Sequence, residues 1–397
     1  MTKARIAELR DFYLRELRGD TLPFWIEKGI DREHGGLLDF LDREGRPLST
    51  DKGGWIQGRF TWVLSRAANS AASSPEERAR WMEAARLCAD FVRDKVLAGP
   101  DGRAYFELDG EGRPLVLRRY LFAEAFAVIG LAEYARALGP AAGAPYLAKA
   151  LETLAVLEAN RGKLAPKIDP ATRRLRGHSE TMILINVFQV LRDADPARAA
   201  DYTRRIDAQI EELFRWFVKP ELRVLLETVN EDGSLAEGCE GRCVNPGHCI
   251  ETAWFIMEEG RRRGDESLVR GVLPILEWSL ERGWDAEFGG LFSFVDLEGR
   301  RPAQIEWDMK YWWPHCEATY GCLLAYALTG EPKWERWFET LHDYTWRRFP
   351  DPAHGEWFGY LRRDGSVAND VKGNHYKGAF HVPRFELYAG LLLDAMH

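Results

Sequence analysis

The sequence predicts an all-α protein, a closed (α/α)6 barrel (toroid) of about twelve helices with short β-hairpins in the connecting loops. Three observations predict this fold. Apolar residues recur at three- and four-residue spacing through about a dozen segments, as in amphipathic helices. These segments come in pairs, and a hairpin-like stretch with an Asp-Gly or Glu-Gly turn recurs roughly every 60 residues. Helix pairs separated by such hairpins fit a closed ring better than an open solenoid.

The hairpin stretches resemble one another. Residues 31–45, 285–299 and 351–365 are the clearest copies, because each starts with an aspartate, has a glycine four residues later and ends in an acidic-Gly turn. Residues 100–114 and 221–235 are weaker copies, while residues 163–175 have the position of a copy but a poor pattern. The self-similarity predicts a repeat architecture that must close on itself or be capped.

The predicted helices occupy residues 4–28, 54–72, 75–97, 120–138, 142–161, 178–193, 196–218, 247–263, 265–283, 314–329, 331–348 and 382–396. The more apolar ones, which start beside distinctive loops, are expected to form the inner ring at residues 54–72, 120–138, 178–191, 248–259, 315–328 and 382–396. Charged helices such as 75–97 and 196–218 are expected outside. No Pro-, Gly- or Ser-rich linker interrupts the pattern, so residues 1–397 are expected to form one domain with its pocket where the inner helices begin.

The composition and charge argue against some classes of binding partner. A formal net charge of −8 and the lack of a basic block argue against nucleic acid. No apolar run reaches the roughly 18 residues of a membrane span, so no membrane is expected as a partner. The N-terminus leads into an amphipathic helix without a signal-peptide pattern, which favours a cytoplasmic protein. The 15 Trp, 13 Tyr and 20 Phe suit either a large core or surfaces for stacking a ligand.

The six cysteines show no regular framework and are expected to be reduced. One cluster, Cys239-x3-Cys243-x4-His248-Cys249, has a spacing compatible with zinc. A structural zinc site normally adds a second well-spaced pair, which is missing, so we predict no metal site.

Three histidines mark junctions between a glycine- or proline-containing loop and an apolar helix. They are His248, His315 and His381. In a barrel such junctions can converge on one pocket. His248 and Glu251 are three residues apart and share a helix face. His381, between a glycine-rich loop and the C-terminal helix, is the strongest candidate for chemistry.

Two further side chains are candidates on chemical grounds. Arg59 lies one turn into the first inner helix, where a guanidinium is costly unless it meets an anion or a polyol. Glu317 lies two residues from His315, so at most one of these two should face the pocket. There is no phosphate-binding loop, dinucleotide motif, His-Glu-x-x-His motif or nucleophile elbow. The remaining set of imidazoles, carboxylates and arginine suits proton transfer on a neutral polar ligand.

At these residues the chain resembles the N-acylglucosamine 2-epimerase family, whose animal members are also called renin-binding protein. The matching stretches span almost the whole chain: Trp55-Ile-Gln-Gly-Arg-Phe60, Asn245-Pro-Gly-His-Cys-Ile-Glu251, Tyr311-Trp-Trp-Pro-His-Cys-Glu-Ala318, Phe349-Pro-Asp-Pro-Ala-His-Gly-Glu-Trp-Phe-Gly-Tyr-Leu361 and Lys377-Gly-Ala-Phe-His-Val-Pro-Arg384. The resemblance implies an (α/α)6 barrel and a sugar epimerase or isomerase.

The resemblance also implies site residues. Arg59, His248, Glu317 and His381 fall on the family's essential positions. The residues expected to contact substrate are Glu251, Trp55, Trp313, His315, Asn245, His178 and Arg384. Relatives that act on cellobiose or isomerise free aldoses carry a further histidine in the region where this chain has Leu184, which favours the N-acylglucosamine branch. Some family members need ATP as an activator and dimerisation is common, but no motif here predicts either.

The expected reaction inverts the configuration at C2 of an aldose and needs neither a metal nor a redox cofactor. The favoured reaction is the interconversion of N-acetylglucosamine and N-acetylmannosamine. His381 and His248 would exchange the roles of base and acid on opposite faces of C2, and Arg59 would stabilise the enolate oxygen. Epimerisation or aldose–ketose isomerisation of unsubstituted sugars uses the same enediol and is the nearest alternative. A glycoside hydrolase or a non-catalytic binding protein is a more distant alternative.

Overall fold

The computed structural model describes residues 1–71, 73–118, 120–163 and 168–397. Its α-helices, in chain order, are α1 (Lys3–Glu16), α2 (Leu22–Phe24), α3 (Gly54–Ala68), α4 (Pro75–Phe91), α5 (Phe122–Leu138), α6 (Pro140–Asn160), α7 (Ser179–Ala194), α8 (Ala199–Trp216), α9 (Gly238–Arg242), α10 (Pro246–Arg263), α11 (Glu266–Gly283), α12 (Trp312–Thr329), α13 (Pro332–Arg348) and α14 (His381–Met396). None of the helices described is long and apolar enough to cross a membrane.

Two rings of helices form the barrel. The inner ring of the described chain consists of α3, α5, α7, α10, α12 and α14, each packed on the next, and α14 returns to contact α3. On the outside, α4, α6, α8, α11 and α13 each pack against the inner helix that precedes them, while α1 packs against α14. The N-terminal helix thus completes the sixth pair with the C-terminal one. The structure confirms the predicted (α/α)6 barrel and the assignment of its inner helices.

The inner helices are buried nearly all round, because each faces both the lumen and the outer ring. In α5, for example, the buried residues run from Ala123 to Ala135 without a break. The outer helix α8 instead shows a narrow buried stripe, which includes Tyr202, Ile206 and Leu213 at helical spacing. This difference in apolar content allows the sequence to separate the two rings.

The first predicted helix, residues 4–28, is not one regular helix. After α1, π-helical turns at Leu17–Thr21 and Trp25–Gly29 flank the short α2. Pro23 in α2 lacks the amide hydrogen that a continuous α-helix needs, which explains the interruption. A further π-helical turn, Val92–Val96, extends α4. Single 3-10 turns occur at Pro196–Arg198 and Pro220–Leu222.

The strands are short and lie in the loops. They are β1 (Lys52–Gly53), β2 (Glu107–Leu108), β3 (Pro114–Val116), β4 (Leu175–Gly177), β5 (Val218–Lys219), β6 (Val224–Leu225), β7 (Thr228–Asn230), β8 (Cys243–Val244), β9 (Val295–Asp296), β10 (Lys310–Tyr311), β11 (Tyr360–Leu361) and β12 (Val367–Asn369). All pairings are antiparallel: β1-β2-β3 and β10-β11-β12 form three-stranded sheets, and β4-β7, β5-β6 and β8-β9 form two-stranded ones.

Four of these strands fix the start of an inner helix. β1 runs directly into α3 and β10 into α12, while one residue separates β4 from α7 and β8 from α10. Each of the four pairs with a strand from a neighbouring loop. The small sheets therefore anchor the N-terminal ends of the inner helices around one mouth of the barrel.

The repeated hairpins owe their similarity to a buried ion pair. Asp31 accepts hydrogen bonds from the backbone amides of Glu33 and His34, and its carboxylate lies 2.7 Å from the buried Lys52 amine. In the other two clear copies, Asp285 meets Lys310 and Asp351 meets Lys372, both at 3.0 Å.

The glycine four residues after each aspartate has a left-handed backbone, for example φ +79° at Gly35. The copies are thus structural. The poor copy at residues 163–175 includes residues 164–167, which lie outside the described residues, as does position 72 in the second predicted helix.

Candidate active site

A cavity of about 420 Å³ opens at the mouth where the inner helices begin. Four of these helices supply its polar lining. Arg59 lies on α3, Ser179 on α7, His248 and Glu251 on α10, and His381 and Arg384 on α14. Aromatic side chains, among them Trp55 and Trp313, form much of the remaining wall. The cavity lies where the sequence places the pocket, and of these polar residues Ser179 was not predicted.

His381 is held from behind by a carboxylate. Its Nδ1 lies 2.6 Å from Oε1 of Glu317, a buried residue on the neighbouring α12. Trp254 Nε1 donates to the other oxygen of Glu317 at 2.8 Å. When the His381 Nδ1–H donates to Glu317, the Nε2 atom is left with its lone pair for the cavity.

Arg384 bridges the carboxylates of Glu317 and Glu251. Its Nη2 donates to Glu317 Oε1 at 2.7 Å and to Glu251 Oε1 at 2.5 Å. Burial, and then the positive charge of Arg384, lower the pKa of His381 well below its usual range. Burial raises the pKa of Glu317, although Arg384 and the Trp254 hydrogen bond oppose that effect. His381 is therefore neutral near pH 7 and suited to accept a proton.

His248 has the opposite electrostatic setting. Its Nδ1 lies 3.1 Å from Oε2 of Glu227, which comes from the loop between β6 and β7. Burial acts to lower the pKa of His248, but the charge and hydrogen bond of Glu227, together with Glu251, outweigh it and raise that pKa. The side chain keeps 32 % of its surface exposed, so a protonated imidazole can reach a ligand in the cavity.

The indole of Trp313 lies beside both histidines. Its ring centre is 5.1 Å from that of His248 and 5.7 Å from that of His381. A flat aromatic surface at this point provides a stacking platform for a polar ligand with apolar ring faces, and it places the two imidazoles next to the same ligand.

Arg59 is a partly buried cation without a carboxylate partner. Its guanidinium lies over the rings of Trp55, Phe126 and Phe380, with distances of 4.2–5.1 Å to the ring centres. Among the residues that the structure describes, it forms no ion pair, and its Nε atom is buried without a hydrogen-bond acceptor. Burial lowers the pKa of Arg59 to about 9, so it remains charged at neutral pH. Such an arrangement is costly unless a ligand oxygen completes it.

One set of potential metal ligands occurs in the described part of the chain. Ligand atoms of Glu251, Glu317 and His381 lie within 4.8 Å of one another. The Arg384 guanidinium already donates to the same oxygens of both glutamates. A divalent ion could bind there only by displacing this cation, so the set fits an internal ion pair better than a metal centre.

Comparison with known proteins assigns the chain to a family. The model of the family N-acylglucosamine 2-epimerase (GlcNAc 2-epimerase) matches residues 27–381. The chain belongs to this family. N-acylglucosamine 2-epimerase from Mus musculus is 35 % identical over 94 % of this chain and 90 % of its own length, and the Homo sapiens protein of that name is 36 % identical over 91 % and 85 %.

More distant relatives share the fold. Cellobiose 2-epimerase from Bacteroides fragilis is 23 % identical over 93 % of this chain and 95 % of its own length. The solved structure of cellobiose 2-epimerase from Spirochaeta thermophila DSM 6192 superposes with a TM-score of 0.83 at 22 % identity, and it covers 99 % of this chain and 98 % of its own.

Three of the predicted substrate-contact residues, His315, Asn245 and His178, do not line the cavity. His315 is a correction to the sequence prediction: its Nε2 accepts from the Leu291 amide at 2.9 Å, and its Nδ1 donates to the Tyr311 carbonyl at 2.6 Å. Both ring nitrogens are therefore occupied. Burial lowers the pKa of His315 to about 3, and the ring stacks on Tyr344. It is a structural histidine that joins the hairpin to α12.

Asn245 and His178 also lie behind the cavity wall instead of lining it. The Asn245 side chain caps α10 by accepting a hydrogen bond from the backbone amide of His248. His178 is fully buried, with Nε2 3.4 Å from Thr252 Oγ1 and Nδ1 3.6 Å from Glu227 Oε1. Neither residue lines the cavity, so the structure gives both a supporting position behind the wall in place of the predicted direct substrate contact.

Four other predicted substrate contacts, Trp55, Trp313, Glu251 and Arg384, line the cavity, and their contact with a substrate stays a prediction. Glu317 lies behind His381, next to its Nδ1. In the cluster with zinc-compatible spacing, Cys249 Sγ donates to the Leu225 carbonyl and His248 is bound to Glu227.

The sequence analysis missed Glu227. It lies in a weak hairpin copy, and no motif marks it. The sequence offers one signal for it: Glu227 directly follows the buried apolar run Val224, Leu225 and Leu226.

Proposed function

We propose that the chain epimerises C2 of an N-acylated aldose and interconverts N-acetylglucosamine and N-acetylmannosamine. The observation that carries the proposal is the pair of imidazoles in opposite electrostatic settings, His381 and His248, which face one cavity beside the unpaired cation of Arg59. Epimerisation needs a base on one face of C2 and an acid on the other, and this pair supplies both near neutral pH.

In the proposed reaction the open-chain aldehyde of the sugar binds with its C1 oxygen at Arg59. Neutral His381 takes the C2 proton through Nε2, and Glu317 stabilises the imidazolium that forms because it accepts the Nδ1 hydrogen bond. The negative charge that develops on the C1 oxygen is stabilised by the guanidinium. Protonated His248 then returns a proton to the opposite face of C2, which inverts that carbon. The reverse direction exchanges the two roles.

The apolar part of the cavity supports an N-acyl substituent. Phe122, Phe126, Met182 and Ile183 form a wall without hydrogen-bonding groups. A methyl group gains free energy against such a wall, whereas a bare hydroxyl would lose hydrogen bonds to water. The 34–36 % identical mammalian relatives carry the name N-acylglucosamine 2-epimerase, while the cellobiose 2-epimerases are 20–23 % identical, which supports the same substrate class.

The test is a proton NMR time course in D2O with N-acetylglucosamine, N-acetylmannosamine, glucose and mannose offered separately. We expect the two N-acetyl sugars to interconvert, with deuterium entering at C2 of the product. The His381→Ala variant should lose this activity, while Glu277→Gln, on the outer helix α11, should keep it. Turnover of mannose alone, with glucose or fructose as product, would contradict the N-acyl assignment. Full activity of His381→Ala would contradict the mechanism.

A further inference from the structure

The carboxylate of Glu227 lies between two imidazoles. Its Oε2 is 3.1 Å from His248 Nδ1, and its Oε1 is 3.6 Å from His178 Nδ1. The His178 side chain has no exposed surface, and that of Glu227 has 19 %. His178 thus faces the outer oxygen of a carboxylate whose inner oxygen is bound to a cavity-lining histidine.

The arrangement is fixed by three elements. β4 and β7 pair so that Gly177 lies opposite Thr228, and the His178 backbone amide donates to the Glu227 carbonyl at 3.1 Å. At its other ring nitrogen, His178 meets Thr252 on α10, one turn after His248. Glu227 therefore has little freedom to move relative to the His248 ring.

The other groups facing His248 do not replace this contact. Glu251 lies one turn away on the same helix, but its Oε1 accepts from Arg384. Arg59 on α3 and His381 on α14 approach from across the cavity, and Trp313 packs against the ring at 5.1 Å without accepting a hydrogen bond. In the described residues, Glu227 is the carboxylate hydrogen-bonded to His248, which leaves Nε2 as the other ring nitrogen.

We propose that Glu227, whose backbone carbonyl accepts a hydrogen bond from the His178 amide, is a positioning residue that directs Nε2 of His248 toward the sugar and keeps this imidazole protonated as the acid of the pair. The inference rests on the proposed epimerisation. Glu227 then orients His248 as Glu317 orients His381, so each histidine has its own carboxylate. Arg384 donates to the carboxylate that binds His381, whereas among the described residues no Lys or Arg pairs with Glu227, so the two histidines begin the reaction in different protonation states.

The first experiment follows the imidazoles of the full chain by NMR, with 15N-labelled histidine and no substrate. We compare the wild type with Glu227→Gln, which keeps the shape but removes the charge. The pKa of His248 should fall by about one to three units, while that of His381 should change little. The matched control is Glu231→Gln, an exposed carboxylate four residues along the same hairpin, which should leave both pKa values unchanged. An unchanged pKa of His248 in Glu227→Gln overturns the proposal.

The second experiment measures kinetics across pH. In Glu227→Gln we expect kcat to fall about 10- to 100-fold with little change in KM, part of the roughly 100- to 10,000-fold that a positioned acid contributes. The alkaline limb of the pH profile should move to lower pH, and Glu227→Asp should recover part of kcat. Equal losses in the Asp and Gln variants, with an unmoved alkaline limb, would mean that Glu227 is only structural.

The NMR titration also separates this inference from the proposed function. If the wild type turns over none of the four sugars, the proposed function fails, yet the titration still tests the link between Glu227 and His248. Melting temperatures check that the variants fold. Should Glu227→Gln fail to fold, Glu227→Asp takes its place in the titration, because its shorter carboxylate should give a smaller fall in the pKa of His248. No fall in that variant overturns the proposal.

Discussion

His381 Nδ1 lies 2.6 Å from Glu317 Oε1, so the imidazole that faces the cavity is oriented by a carboxylate on the neighbouring inner helix. The same oxygen accepts a hydrogen bond from Arg384, one turn along α14. Such a network fixes both the ring and its tautomer before a ligand binds. Because the imidazole is already oriented, no further free energy is needed to order it during the reaction.

The first prediction concerns Glu317→Gln. The Gln amide is uncharged, so it stabilises a protonated His381 less than the carboxylate does. It can also present its NH2 group to Nδ1 of His381, which favours the tautomer with the proton on Nε2. We expect kcat to fall about 100- to 10,000-fold with a small change in KM. Because the two residues act as a unit, the Glu317→Gln/His381→Ala double variant should be no slower than His381→Ala alone. Losses that simply multiply in the double variant would show that the two residues act independently.

The second prediction concerns Arg59→Met. The unpaired guanidinium serves a ligand and costs free energy in the empty protein, so its replacement should leave the melting temperature unchanged or raise it. The same change should lower kcat/KM about 100- to 1,000-fold, since the developing oxyanion loses its charged donor. Thermal melting and sugar NMR assays measure the two effects. A clear loss of stability with activity retained would assign Arg59 a structural role.

The fold was predictable because local patterns report it directly. Helical spacing separated the apolar inner helices from the amphipathic outer ones, and the repeated aspartate and glycine of residues 31–45 returned at each clear hairpin. The site was predictable only in part. His315 has the same local setting as His248, yet its ring nitrogens bind the backbone of Leu291 and Tyr311. Such contacts depend on which loop packs over the helix, and spacing along the chain does not encode that.

Glu227 illustrates the opposite case. It reaches His248 because β7 pairs with β4, a contact between segments about 50 residues apart that no short motif records. Arg384 and Glu317 were named from the sequence, but the hydrogen bonds that join Arg384 to Glu251 and Glu317 were not, because they link three inner helices. Residues at helix starts could be found from sequence, while the contacts that orient them across neighbouring elements could not.

A third prediction tests the apolar wall. Replacing Ile183 by Asn places a polar group where the acyl methyl is expected. The value of kcat/KM for N-acetylmannosamine should fall about 10- to 100-fold, and any activity on mannose should change much less, because one apolar contact contributes about 1–3 kcal/mol to such discrimination. Ile183→Val is the conservative control and should change kcat/KM by only a few-fold. Equal losses on both sugars would place the acyl group elsewhere in the cavity.

A fourth prediction follows from the opposite pKa shifts of the two histidines. The lowered pKa of His381 should place the acid limb of the kcat/KM profile well below pH 6.5, and the raised pKa of His248 should place the alkaline limb above it. Both directions of the reaction need one proton on the pair, so both profiles should be bell-shaped with the same limbs. Initial rates from pH 4 to 10 measure this. A narrow optimum with both limbs near 6.5 would contradict the electrostatic assignment.

The last prediction concerns acid stability and His315. Its pKa is about 3 in the folded protein and about 6.5 when unfolded, so between these values the unfolded chain binds a proton that the native state does not. The contribution of His315 is complete above pH 6.5 and is lost as pH falls toward 3, a difference of roughly 5 kcal/mol. His315→Gln should be less stable than wild type at pH 7, since one backbone hydrogen bond is lost, but its stability should fall less steeply between pH 6.5 and 4. Urea unfolding across that range measures the slope, and parallel slopes for the two proteins would show that His315 is not the group that titrates.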